Sequence, residues 1–264
     1  MRLYKVIERL SHHDVKPSTR LPVLELKRLY NNIAQFDLGN TIQNLHKSEF
    51  DDLWYYGNEL YAHGLWNLPY ENVSFSQLCD NGHRVVVVGK GDPEKTTSEY
   101  IGYAFQGDHN GIYENGIYFE IKNSGIALDG QWLDPTVDGA TEQYFRQEAN
   151  NCWALVLVAT GLLMAKGAEI RTTKEPVALN KKRIKKGKLP IKEIHEIIIR
   201  VGSNVMRADG TSSEPGSTKR MHWRRGHIRR LASGEITNVR PCLVGAISTE
   251  TKAPSLPSYR IKAA

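Results

Sequence analysis

The sequence has few cysteines, and their spacing suits neither disulfides nor a metal. Cysteine occurs three times in 264 residues, at Cys79, Cys152 and Cys242, and no two of them form a CxxC pair. An odd number of widely spaced cysteines argues against a disulfide framework and against a cysteine-based zinc site. We therefore expect reduced thiols, as is usual in cytosolic proteins.

Long apolar runs are also missing. The longest, Cys152–Ala165, has 14 residues, whereas a helix needs about 20 to span a bilayer. The opening residues, MRLYKVIERLSHHDV, lack the apolar core of a signal peptide. The sequence predicts a cytoplasmic protein without membrane contact, in which this run forms a buried helix.

Metal-binding and phosphate-binding motifs are incomplete. His222 and His227 are five residues apart with no carboxylate between them, unlike the HExxH arrangement, so we expect neither a metal nor a cofactor. The segment VVVVGKGDPEKTT approaches a P-loop, but Glu94 occupies the position of the second glycine and would project into the phosphate nest. A strand-like run follows it, so we predict an ordinary hairpin loop.

Charge is very unevenly distributed. Residues 1–170 carry 14 Lys+Arg against 22 Asp+Glu, a balance of −8, whereas residues 171–264 carry 21 against 7, a balance of +14. Such asymmetry favours contact with a polyanion, most often nucleic acid. We predict an acidic α+β body over 1–170 and a basic β-rich C-terminal unit over 171–264, with a mobile loop at 207–219.

Hydrophobic periodicity predicts the α+β class. Residues 21–36, 47–66 and 140–166 show helical spacing, and the last of these is expected to pack across a sheet and to end near Gly167. Short β-rich runs between them predict a mostly antiparallel meander, VSFSQL, RVVVVGK, EYIGYAF, GIYFEI and IALDGQWL. The isoleucines of residues 194–199 indicate one further buried strand.

Two basic segments are the candidate nucleic-acid interface. KKRIKKGK has six cations in eight residues, and HWRRGHIRRL combines four arginines, two histidines and a tryptophan. Guanidinium groups match phosphate oxygens, and Trp or Arg planes can stack on bases. The predicted binding residues are Lys181, Lys182, Arg183, Lys185, Lys186, Lys188, Arg220, Trp223, Arg224, Arg225, Arg229 and Arg230. The alternative is a solvated edge strand whose arginines pair with the acidic body.

These segments also resemble a known group. LNKKRIKKGKLPIKEIHEIII, HWRRGHIRRLASGEITNVRPCLVGA and the earlier GLWNLPYENVSF are similar to a family of bacteriophage and prophage proteins with a C-terminal RRGHxRRL signature. The resemblance implies a phage setting, a shared fold and residence in the host cytoplasm, with virion association as an alternative. It transfers no catalytic residues.

Three functional hypotheses follow. The first is a phage-encoded accessory protein that binds RNA or DNA mainly at phosphates, with a host or phage protein as a further partner. The second is a metal-independent endoribonuclease, in which His222 and His227 act as base and acid while Arg225 and Arg229 stabilise phosphate charge. The third is a virion or host-protein-binding structural protein. Whether the chain is an enzyme stays open at this point.

Overall fold

The computed structural model describes most of the chain. The residues it describes are 2–12, 24–39, 42, 45, 47–80, 82–94, 96–108, 113–122, 129–132, 142–166, 168–199, 222–244 and 260–261. The predicted mobile loop at 207–219, the predicted helix end at Gly167 and the candidate residue Arg220 lie outside these residues.

Helices cover both faces of one large sheet. Their bounds are α1, Leu3–His12; α2, Lys47–Ala62; α3, Glu142–Met164; and α4, Val177–Lys185, together with a helical stretch at 24–29 that continues into a 3-10 turn, Tyr30–Asn32. The predicted helices at 47–66 and 140–166 are confirmed as α2 and α3. Helix α2 ends near Gly64, whose φ of 66° lies in the left-handed region that favours glycine.

The large sheet has nine strands in a mostly antiparallel arrangement, which confirms the α+β class. Its spatial order is β13-β8-β1-β2-β3-β4-β5-β6, with β7 paired to β8. The strands are β1, Ile33–Gly39; β2, Asn72–Cys79; β3, Gly82–Lys90; β4, Tyr100–Gly107; β5, Tyr113–Ile121; β6, Asp129–Trp132; β7, Ala168–Thr173; β8, Ile194–Ile199; and β13, Arg260–Ile261. The five predicted meander strands correspond to β2 through β6, and β3 and β4 pair as the predicted hairpin.

Strand β3 shows why the sheet is covered on both sides. Successive side chains of a strand point to opposite faces. Val86 and Val88 pack with α2 and α3, whereas Val85 and Val87 pack with α1 and the 24–29 helix. A run of four valines suits a strand buried on both faces.

The prediction of one helix over 21–36 is wrong in its second half. The helix stops before Ile33, where strand β1 begins. Phe36 and Leu38 then alternate onto the α2–α3 face, and β1 runs parallel to both β2 and β8. Apolar residues at positions 26, 29, 33 and 36 fit helical spacing, but the last two are buried here by strand pairing, which local spacing does not reveal.

The C-terminal region contains two small antiparallel sheets. One pairs β10, His227–Arg230, with β11, Ile236–Val239, and the other pairs β9, His222–Arg224, with β12, Cys242–Val244. The proposed boundary between residues 170 and 171 falls inside β7, and β8 belongs to the large sheet. The division into a body and a basic unit therefore stays a prediction.

Candidate nucleic-acid interface

The first basic segment forms the end of helix α4 and the turn after it. Asn180 fixes this helix to the following chain, because its Nδ2 donates to the Ile191 carbonyl at 2.8 Å and its Oδ1 accepts from the Ile191 N–H at 2.7 Å. Asn180 is buried. The two bonds satisfy the side-chain amide of Asn180 and the backbone N–H and carbonyl of Ile191. They hold α4 against the segment that leads into β8.

Arg183 makes contacts within the fold that anchor helix α4 to α1. Its Nη2 lies 2.6 Å from Glu8 Oε1 on α1, and its Nε donates to the Leu189 carbonyl at 2.9 Å. The guanidinium also lies over the Tyr4 ring at 4.5 Å, and the same Glu8 oxygen accepts from the Leu189 N–H at 3.0 Å. Of the six predicted cations in this segment, Arg183 is thus the one that anchors the others.

The remaining five cations form what we call the lysine patch. All are exposed on α4 or in the turn behind it, Lys181, Lys182, Lys185, Lys186 and Lys188. None of them has an ion-pair partner within the described part of the chain. Cations near the C-terminal end of a helix also interact favourably with its dipole, so part of this arrangement serves the helix itself.

The second basic segment contains β9 and β10, and the hairpin formed by β10 and β11 docks on helix α2. Ile228 of β10 packs against the core that α2 and α3 share. The Tyr56 hydroxyl of α2 donates to Asn238 Oδ1 of β11 at 2.7 Å, and burial raises the pKa of Tyr56. The segment is not one continuous extended strand, because Arg225 and buried Gly226 separate β9 from β10.

The arginines of the second basic segment divide into two groups. Arg225 lies 3.9 Å from Asp52 and 3.8 Å from Glu59 on α2, and 5.5 Å over the Tyr55 ring. It therefore pairs with the acidic body, as the alternative interpretation expects. We call the other exposed arginines of the segment, Arg224, Arg229 and Arg230, together with exposed His227, the arginine patch.

The two patches lie on opposite sides of the sheet. Helix α4 is anchored to α1, whose apolar residues pack with Val85 and Val87. The hairpin packs on α2, whose apolar residues pack with Val86 and Val88. Because these valines alternate between the two faces, one continuous stripe of cations across one face is not formed by the described residues.

The predicted catalytic residues do not meet in a described cleft. His227 and Arg229 are exposed on β10, and Arg225 is exposed just before this strand. The side chains of His222 and Trp223 lie outside the described part. A cleft of about 700 Å³ lies on the other side of the sheet beside Glu25, Tyr103 and Glu120. Catalysis by the two histidines stays a prediction.

A histidine outside both basic segments occupies an unusual environment. His195 on β8 is buried and stacks on Tyr70, with ring centroids 5.7 Å apart, and it contacts Phe36 in a tilted arrangement at 5.4 Å. Its Nδ1 lies 3.0 Å from Thr172 Oγ1, and burial lowers its pKa. It borders a cleft of about 210 Å³ at the start of β1 and β8. The sequence offers no signal for it, since its neighbours come from four separate segments.

Metal and membrane features are absent from the described residues. No group of three or more His, Cys, Asp or Glu side chains there could hold a metal ion. No helix in that part of the chain is long and apolar enough to cross a membrane. All three cysteines are free, and burial raises the pKa of Cys152 to about 12.

Comparison with known proteins identifies one family. Residues 20–246 match the model of the AcrVA2-like family, described as the anti-CRISPR type V subtype A2 family. Neither curated proteins nor solved structures give a match to the chain. The match covers most of the sequence, including α2, α3, α4 and the docked hairpin.

Proposed function

Because the chain belongs to the AcrVA2-like family of phage-encoded type V anti-CRISPR proteins, we propose that it acts in the host cell by binding nucleic acid at its phosphates. Its partner is RNA or DNA associated with the CRISPR machinery that the family opposes. The lysine and arginine patches are the two contact surfaces, and base sequence is not read by either.

The lysine patch is the observation that carries this proposal. Five exposed lysines lie within eight residues, on α4 and in the turn behind it, and Asn180 and Arg183 anchor this helix to the rest of the fold. Lysine ammonium groups are strongly hydrated point charges that contact phosphate without requiring a fixed geometry. Neutralising phosphates releases condensed counterions, which supplies most of the affinity in sequence-independent binding.

The arginine patch supports a second contact surface. Arg229 and Arg230 are exposed on β10. Ile228 of the same strand packs against the core that α2 and α3 share, which holds the strand in place. Arg225 contributes little to phosphate binding in this proposal, since Asp52 and Glu59 already lie beside it. A rigid strand presenting guanidinium forks is suited to bidentate phosphate contacts.

Salt-dependent binding tests the proposal. Affinity for a random single-stranded RNA and a random duplex is measured as salt rises, for the native chain and for a variant with Lys181, Lys182, Lys185 and Lys186 changed to Gln. Each lost phosphate contact reduces the log–log salt slope by about 0.7 on single strands and about 0.9 on duplex. For binding at the lysine patch we expect the slope to fall by roughly 3 to 4, which leaves the arginine patch as the remaining site.

A charge-matched variant controls for net charge. Lys5, Lys27, Lys47 and Lys174 are exposed and scattered over α1, the 24–29 helix, α2 and the turn after β7. Changing these four to Gln removes the same charge and should leave most of the slope. Absence of binding at low salt, equal loss in both variants, or capture of an acidic host protein with nucleic acid ignored would each overturn the proposal.

A further inference from the structure

Strand β7 is an exposed edge of the large sheet. Among the described strands it pairs only with β8, and five of its six residues are exposed. Ile170 at its centre is 49% exposed. A bridge joins Lys166 to Cys242, but it precedes the strand. Open edges of this kind are templates for another strand, and proteins usually shield them.

The sequence of β7 is complementary to itself. Its central residues are Glu169, Ile170 and Arg171. When two copies run antiparallel about an axis through Ile170, Glu169 of each copy lies opposite Arg171 of the other. Opposite charges directly across a strand pair stabilise it, and like charges destabilise it. The two isoleucines meet on the axis and cover apolar surface that is otherwise half exposed.

Neighbouring symmetric registers are unfavourable. An axis through Glu169 would place two glutamates opposite each other, and an axis through Arg171 would do the same with two arginines. A shift by one residue also exchanges the faces on which side chains lie. The charge pattern therefore selects the register centred on Ile170.

We infer that two copies of the chain pair through β7 into a two-fold dimer. The dimer continues the sheet of one copy into that of the other. The same surface serves both copies, as required for an isologous two-fold interface. This dimer is independent of nucleic-acid binding, because β7 carries none of the residues in either patch.

Charge reversal combined with mixing tests the dimer. Molar mass is measured by sedimentation, without nucleic acid, for the native chain, Glu169→Lys and Arg171→Glu. Each reversal converts two symmetry-related attractive pairs into repulsive ones, so dimerisation should weaken by on the order of tenfold. Mixed in equal amounts, the two variants should form a heterodimer, because every cross-strand pair is then again between opposite charges.

The mixing experiment also excludes a trivial effect on folding. Position 171 lies opposite Glu196 of β8, so Arg171→Glu also changes a strand pairing within one copy. A misfolded variant, however, would not recover a partner on mixing. Lys27→Glu, a reversal at an exposed distant site, should leave the native dimer intact. A native chain that stays monomeric, single variants that dimerise normally, or a mixture that stays monomeric would refute the interface.

Discussion

At the scale of single residues, Gly226 allows the chain at the start of β10 to pack closely against Tyr56 of α2. It is buried between exposed Arg225 and His227. A Cβ atom at this position would lie 2.6 Å from Tyr56 Cδ2 and 2.7 Å from Pro241 Cδ. We expect Gly226→Ala to lower the free energy of unfolding by about 1 to 3 kcal/mol, the usual effect of overpacking. Denaturant titration measures this difference.

Gly161 provides the matched control. It lies inside α3, and the nearest atom to an added Cβ is the Leu53 carbonyl oxygen at 3.5 Å, an ordinary contact. Alanine is favoured over glycine in a helix interior by up to about 1 kcal/mol. Gly161→Ala should therefore stabilise the protein. Destabilisation of equal size in both variants would mean that the close approach to Tyr56 does not explain the effect at Gly226.

Residue identity in the basic segments could be recognised from the sequence, but residue role could not. Arg183 and Lys182 are neighbours in one run of cations, and Arg225 and Arg229 occur in one motif. The partners that distinguish them, Glu8 for Arg183 and Glu59 for Arg225, lie far away along the chain. Composition therefore identifies where cations concentrate, whereas packing decides which of them face solvent.

At the scale of elements, strong local periodicity allowed correct prediction of α2, α3 and β2 through β6. Strand β1 was missed because Ile33 and Phe36 also fit helical spacing, and their burial depends on parallel pairing with β2. The sequence does not predict helix α4, because its mean hydropathy is low. Its apolar residues Val177 and Ile184 are exposed in the structure, so they do not form a buried face that a hydrophobic pattern would reveal. The helix is stabilised mainly by Asn180 and Arg183, two polar anchors that no apolar pattern reveals.

Helix α4 offers two adjacent residues of which one, Arg183, should matter for stability and the other, Lys182, should not. Arg183→Gln removes the pair with Glu8, in which both side chains are largely buried, at 16% and 20% exposed. Hydrogen bonds to charged groups contribute about 1.5 to 3 kcal/mol, so we expect unfolding free energy to fall by about 1 to 3 kcal/mol. Thermal and denaturant unfolding of the variant measure this loss.

The neighbouring Lys182 is the control on the same helix. Its side chain is exposed, and surface substitutions away from special contacts usually change stability by less than about 0.5 kcal/mol. Lys182→Gln should keep stability and lose roughly one phosphate contact in the salt slope. The interpretation of α4 fails if Arg183→Gln leaves stability unchanged or if Lys182→Gln destabilises the fold.

At the scale of the whole molecule, the charge asymmetry of the sequence becomes a spatial arrangement. Within the described residues, the cations that contribute to the excess of +14 in residues 171–264 are not gathered on one face. The lysine patch lies on the α1 side of the sheet, and the arginine patch lies on the α2 side. Part of the acidic body, Asp52 and Glu59, lies beside the hairpin and compensates Arg225. Under the proposed function, each patch would contact a separate stretch of nucleic acid.

This separation predicts the stoichiometry of binding. An oligonucleotide too short to wrap around the sheet should bind the native chain at two sites, measured by titration calorimetry at low salt. Neutralising Lys181, Lys182, Lys185 and Lys186 should leave one site, and Arg229→Gln with Arg230→Gln should leave the other. Distant sites without shared partners behave additively, so each variant should keep the affinity of its remaining site. A single native site abolished by either variant would show instead that both patches grip one ligand together.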